Sequence, residues 1–372
     1  MGSPRIAATV PFRPQERAAM GVHIPSVDDI ARGLDESAAK DFEDLDAQLL
    51  SALRDRYQAP LVRICQRVGS FPRSYCQKIT YCKVERHVLP LLHIGDAMEL
   101  SPALVEDFAY AFLSGFSLPI LAISHELDDA DVISGPTTAR ILCSVFTAST
   151  AMAALPNGAR VASVVGSPYH KAIEAALHEH ANRWTIPTAE QCRRITASTE
   201  DPQMTSYYRS PCVYLTALTC GLAELAGFDA TPLIPATHAF GVARQLADEV
   251  ADLADDLSKG LVTYSIISVL DDNLDDTLRG IWAGDASSQD LVNSPQVAAG
   301  VAQALATAER WLSICEERIA QTSPQFPFMT AIRPFTSWKR GLISRLRAEL
   351  NAPHFNDYRH LPPLDVIEEV AG

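Results

Sequence analysis

The stretch GVARQLADEVADLADDLSKGLVTYSIISVL, residues 241–270, sets an apolar helical stripe beside a row of acids. Leu246, Val250 and Leu253 recur at helical spacing. Asp248, Asp252 and either Asp255 or Asp256 fall on one helix face, at i, i+4 and i+7 or i+8. Carboxylates stacked in this way repel one another by a few tenths of a kcal/mol per exposed pair, and by more where water is partly excluded. Next to apolar positions such a face needs a cation. Mg²⁺ suits it, because the ion prefers carboxylate oxygens and completes its shell with water and phosphate oxygens. These residues therefore fit a metal site that grips a phosphate group.

The same helix-forming composition runs through most of the chain. Residues 37–56, 102–125, 137–155, 168–183, 213–227, 240–259, 298–320 and 336–350 read as helices, punctuated by Pro, Gly and Asn clusters. Alternating strand patterns are nearly absent, and no internal repeat or interdomain linker stands out. The expected organisation is a flexible N-terminal tail over 1–28 and a single all-α domain over 29–372. Two uncharged runs, Phe108 to His125 and Ile141 to Ala159, approach the length that crosses a bilayer. Their Ser, Thr, Gly and Pro content favours fully buried helices over membrane spans.

Composition narrows the classes further. The chain has 372 residues, with 31 Lys and Arg against 45 Asp and Glu, a net charge of −14. That balance argues against nucleic acid or an anionic membrane as a partner, since neither would find a basic surface. Hydrophobic residues make up 47% of the chain and aromatics 7%, enough for a large core built mainly from Ala, Leu, Val and Ile. The 8 cysteines form no CxxC pair, and the N-terminus shows no basic-then-apolar signal pattern, so a cytoplasmic location is expected. No Gly-rich nucleotide loop and no Ser or Cys nucleophile motif is present.

A second acidic cluster, HELDDAD at 125–131, ends the first uncharged run. Asp128 and Asp131 share a helix face, and Asp129 lies beside them. The aromatics Phe108, Tyr110, Phe112 and Phe116 precede it; core packing is their ordinary role, and a cavity wall that stabilises a carbocation is the functional one. A third cluster, DDNLDD at 271–276, reads as a helix start or surface turn. Arg333, Lys339, Arg340, Arg345, Arg347 and Arg359 concentrate positive charge near the C-terminus, the ordinary pattern of a charged surface helix.

These segments resemble the trans-isoprenyl diphosphate synthases in their order along the chain. GVARQLADEVAD (241–252) is similar to the GxAFQIxDDxxD segment of that family, with Glu249 at its second Asp. DLSKGLVTYSIISVL (256–270) resembles DLxxGKxTLPxIxAL, and LLHIGDAMEL (91–100) and FSLPILAISHELDDAD (116–131) resemble its two upstream helices. YYRSPCVYLTAL (207–218) looks like its Lys-Thr helix, with Arg209 and Ser210 in those places. In the register of class I terpene cyclases, (N/D)DxxSxxxE, the acids Asp248, Asp252 and Asp256 take the metal positions. The chain departs from the elongating synthases where they hold isopentenyl diphosphate: Leu89, Ile133 and Ser134 stand in place of arginines, and Arg244 replaces a Phe.

The resemblance implies a terpenoid-synthase-like helical bundle around a central apolar cavity. It implies a Mg²⁺-dependent class I terpene cyclase, with on the order of three ions, that converts farnesyl diphosphate into a sesquiterpene hydrocarbon. Asp128, Asp129, Asp131, Asp248, Asp252 and Asp256 would hold metal, with Asp128, Asp248 and Arg209 central to ionisation. Arg209, Lys259, Tyr358 and Arg359 would bind the diphosphate, and Phe108, Phe112, Phe116 and Ser124 would line the cavity. The alternatives are a short-chain trans-prenyl diphosphate synthase and an inactive family member serving as a subunit. A homodimer is a further implication of the family.

Overall fold

Apolar residues at helical spacing organise the described chain into helices, and no strand occurs among the described residues. The computed structural model describes residues 53, 56–64, 66–67, 81–117, 119, 135–200 and 213–350. In chain order these hold α1 Tyr81–Ala97, α2 Pro102–Phe112, α3 Gly135–Ala153, α4 Gly158–Ala181, α5 Ala189–Glu200, α6 Val213–Leu225 and α7 Ile234–Ala251. There follow α8 Leu253–Ser258, α9 Tyr264–Ile267, α10 Asp272–Ala283, α11 Ser288–Val292, α12 Pro295–Thr322 and α13 Arg333–Leu350. A π-helical turn, Leu113–Ser117, extends α2.

Local chemistry sets several boundaries. Ser101 and Ser294 cap α2 and α12 through their hydroxyls, each followed by a proline that needs no N–H partner. Asp271 caps α10 by accepting the Leu274 N–H at 2.9 Å, a bond that holds its carboxyl below the usual carboxylate range. Asp275 pairs with Arg279 one turn on, at 2.8 Å. The third acidic cluster is thus a helix start on the surface, as its composition suggested.

The centre of the bundle is the pairing of α7 with α12, the longest helix, and α6 and α13 also pack against α7. On α7, every residue from Ala239 to Val250 is buried except Arg244 and Asp248. Burying each large apolar side chain contributes about 1.5–3 kcal/mol, so this helix is fixed by its surroundings. Trp311 of α12 ties in α5, because its buried indole N–H donates to the Thr199 carbonyl at 2.7 Å. Gly300 lets α12 come down onto α9, since a Cβ there would run into the Ser265 carbonyl oxygen.

The two uncharged runs behave differently. The first is core over its described part: Phe108, Ala109, Ala111, Phe112 and Leu113 are fully enclosed. The second forms α3, which lies on the outside, with Leu142 53% and Phe146 72% exposed, rather than buried all round as expected. Thr147, Ser149 and Thr150 each donate to the carbonyl four residues back, at 2.9, 2.7 and 3.0 Å, so they satisfy themselves without a polar partner.

Gly300→Ala should lower the free energy of unfolding by about 1–3 kcal/mol through overpacking against α9. Urea denaturation followed by circular dichroism checks this; an unchanged midpoint would contradict the close α12–α9 approach.

Candidate active site

The acid row opens on the one face of α7 that the core does not cover. The helix turns slightly at Asp252, whose φ of −94° and ψ of 6° separate α7 from α8. Backbone bonds nevertheless continue through the turn, Asp252 N–H to Asp248 O at 3.0 Å and Asp256 N–H to Asp252 O at 2.8 Å. Asp248, Asp252 and Asp256 therefore succeed one another about a turn apart, each partly buried. Burial also separates the two acids that spacing alone left equivalent. Asp255 is exposed and pairs with Lys259 at 2.7 Å, whereas Asp256 is partly buried.

Asp248 is held between two cations. Arg244, one turn earlier on α7, places Nε 3.3 Å from Oδ2, and Lys339 of α13 places Nζ 3.6 Å from Oδ1. Lys339 is 1% exposed, so its ammonium group has left bulk water for this face. It lies on the apolar stripe of α13 with Phe335, Ile343 and Leu346. Sequence reasoning grouped Lys339 with surface charges; the signal that distinguishes it is this spacing, a lysine where the helix period demands an apolar residue. Arg340 and Arg347 of the same helix pair elsewhere, with Glu316 and Glu309.

Glu249, at the second acidic position of the aligned motif, faces away from the acid row. It is 2% exposed, accepts the Tyr264 backbone N–H at 3.1 Å and takes a long contact from the Gln245 amide at 3.5 Å. Its carboxylate fastens the start of α9 to α7, which is a structural role. Gly260, where α8 ends, has φ +78°, and the Trp184 ring lies against it, so a side chain would meet both backbone strain and that ring.

Aromatic side chains form a continuous ladder between α2, its π-helical turn and α4. Phe108 and Phe112 stand 5.6 Å apart, Phe112 and Phe116 6.2 Å, and Tyr169 of α4 closes on Phe112 at 5.7 Å and Phe116 at 5.1 Å. Phe108 packs where a Gly221 side chain would go, so it is core; Phe116 is only partly buried. Burial pushes the Tyr169 hydroxyl well above the ordinary phenol range, while the Ser117 hydroxyl, 3.3 Å away, and the Arg244 charge draw it back. Tyr169 was not singled out in the sequence; it closes the aromatic ladder from α4, within reach of the Arg244 charge.

The remaining expected site residues, Asp128, Asp129, Asp131, Ser124, Arg209, Tyr358 and Arg359, lie outside the described residues, as do Ile133 and Ser134. Leu89 is described: it is fully buried on α1, in the place where the resemblance would put an arginine. Among the described residues no three metal-binding side chains converge on one point. The donor chemistry of Asp252 and Asp256, carboxylate oxygens only, fits Mg²⁺, with Asp248 already engaged by Arg244 and Lys339. Glu249→Ala should cost about 1–3 kcal/mol of stability by stranding the Tyr264 N–H. Glu249→Gln should leave Mn²⁺ affinity, measured by titration calorimetry, unchanged; a large loss of affinity would contradict the structural role.

No protein-family model matches the sequence, and no curated protein matches it. Solved structures do. A polyprenyl synthase from Roseobacter denitrificans superposes with a TM-score of 0.58 at 12% identity, over 80% of this chain and 98% of the other. A decaprenyl diphosphate synthase from Rhodobacter capsulatus gives 0.53 at 14%, over 86% and 99%. A geranylgeranyl pyrophosphate synthetase from Geoglobus acetivorans gives 0.51 at 12%, over 80% and 97%. The chain thus shares its all-helical fold with these prenyl diphosphate synthases.

Proposed function

We propose that this chain binds an allylic prenyl diphosphate and breaks its allylic C–O bond, the electron pair leaving with the diphosphate. One juxtaposition carries the reading: an ionic face, Arg244–Asp248–Lys339 continuing into Asp252 and Asp256, lies near enough to an aromatic ladder for the Arg244 charge to act on the Tyr169 hydroxyl. An amphiphile with a charged head and a branched hydrocarbon tail matches both halves.

Each described residue has a part in that reading. Asp252 and Asp256 would hold Mg²⁺, together with the acids of 125–131. Bound there, the ion supplies Lewis acidity that neutralises the departing diphosphate. Arg244 and Lys339 orient Asp248 and add positive charge beside it. The aromatic faces nearest the ionic end, Phe116 and Tyr169, favour an adjacent carbocation by about 1–2 kcal/mol where water is excluded. Keeping water out also protects that cation from capture. Arg209, Lys259, Tyr358 and Arg359 stay assigned to the diphosphate by the resemblance.

The fate of the cation separates two readings. Transfer to isopentenyl diphosphate, giving a longer prenyl diphosphate, is supported by the solved structures of like fold, which are chain-length synthases by description. Internal cyclisation to a terpene hydrocarbon is supported by specific residues. Leu89 is apolar and enclosed where elongation calls for a cation, and Ile133 and Ser134 likewise carry no charge.

Incubation with Mg²⁺ and farnesyl or geranylgeranyl diphosphate, with and without isopentenyl diphosphate, decides between them. Diphosphate release that depends on Mg²⁺ is expected. A longer prenyl diphosphate formed only with isopentenyl diphosphate establishes elongation, and a hydrocarbon formed without it establishes cyclisation. Allylic substrates that stay intact under both conditions would overturn the proposal.

A further inference from the structure

Helix α8, which carries Asp256, is six residues long, too short to hold its own shape in water. Leu253 and Leu257 bury one side of it, and its end is closed from outside. Gly260 turns the chain out of the helix, with the Leu261 N–H reaching back to the Asp256 carbonyl at 2.9 Å. Two tryptophans take hold of that turn. The Trp184 backbone N–H donates to the Gly260 carbonyl at 2.8 Å, and its ring lies where a Gly260 side chain would go. The Trp282 indole N–H donates to the Leu257 carbonyl at 3.1 Å. The two indoles meet edge to face, their centroids 5.8 Å apart and their planes at 83°.

Trp184 makes these contacts in an unfavourable conformation. Its φ is +61°, in the left-handed region that bulky side chains rarely adopt, and it remains 53% exposed. Neither strain nor exposure favours tryptophan there, and strained residues of this kind gather at functional sites. The strap that presents it, residues 182–188, is tied down at its far end. There the Thr188 N–H donates to the Gln191 side chain at 2.8 Å and the Gln191 N–H to the Thr188 hydroxyl at 3.3 Å, starting α5. We propose that Trp184 is a positioning residue for the metal end of the acid row: with Trp282 it clamps the last turn of α8 and so fixes where Asp256 stands. The inference rests on the functional reading above, in which Asp252 and Asp256 hold Mg²⁺. That ion tolerates little departure from octahedral geometry, so a carboxylate on a short, unclamped helix would bind it weakly. Trp184 acts through the backbone of α8 and supplies no metal ligand itself.

Trp184→Gly separates position from stability, because glycine adopts a positive φ freely and Trp184 is half-exposed. Mn²⁺ affinity is measured calorimetrically with inorganic diphosphate present, backbone opening by hydrogen exchange over residues 256–261, and folding by the melting curve. The variant should melt within about 5 °C of the wild type. Its amides at 259–261 should exchange about tenfold faster, with the rest of the chain unchanged. It should bind Mn²⁺ about tenfold more weakly. Trp184→Phe, which keeps a ring on Gly260, should bring both readouts back to within about threefold of the wild type. If Trp184→Gly does not fold, Trp282→Phe carries the test: it removes the indole N–H from the Leu257 carbonyl and should move both readouts in the same direction. Unchanged exchange, or faster exchange with Mn²⁺ affinity intact, overturns this inference and leaves the functional reading standing. Weaker binding that comes with faster exchange throughout the chain also overturns it, since Trp184 would then serve stability alone. A wild-type chain that takes up no Mn²⁺ beside diphosphate removes the metal assignment of the functional reading, and this inference with it.

Discussion

Like charges cannot share one face of a core helix without cations, and the rest of the site follows from that constraint. Helix α7 is enclosed along nearly its whole inner length, so its acids cannot swing out into water to relieve their repulsion. Arg244 and Lys339 answer the problem at Asp248, and the same geometry leaves Asp252 and Asp256 as carboxylates suited to an added ion. The surrounding packing is what makes the arrangement costly to avoid: α12 backs α7, and α13, packed against both, delivers the lysine. Fold and site are therefore coupled through one helix.

The fold was legible because periodicity survives in long helices. The segments 213–227, 298–320 and 336–350 closely match α6, α12 and α13, since buried stripes there follow the helical repeat over several turns. The pattern failed at one helix. The uncharged run from 141 looks like core, yet α3 is a surface helix whose hydroxyls bond to its own backbone. Apolar composition alone does not tell an enclosed helix from one that leaves large apolar side chains exposed.

The site was legible only in part. Spacing placed Asp248 and Asp252 on one face, because that depends on helix geometry and nothing else. It could not choose between Asp255 and Asp256, which differ by their surroundings, one exposed beside Lys259 and the other partly buried. Glu249 aligned with a motif acid but serves a backbone N–H fifteen residues on, a tertiary contact that no local pattern encodes. Lys339 was hidden among surface arginines although its register on α13 is that of a core residue. The resemblance to isoprenyl synthases and terpene cyclases and the likeness of fold agree on the architecture, while residues such as Leu89 mark where this chain parts from the elongating enzymes it resembles.

The most direct test of the central claim is anomalous diffraction from crystals grown with Mn²⁺ and the unreactive thiolo analogue of farnesyl diphosphate. The account predicts manganese peaks against Asp252 and Asp256, with the diphosphate beside them and the prenyl tail running towards Phe116 and Tyr169. Manganese and ligand bound elsewhere, with the acid row of α7 and α8 facing only solvent, would contradict it.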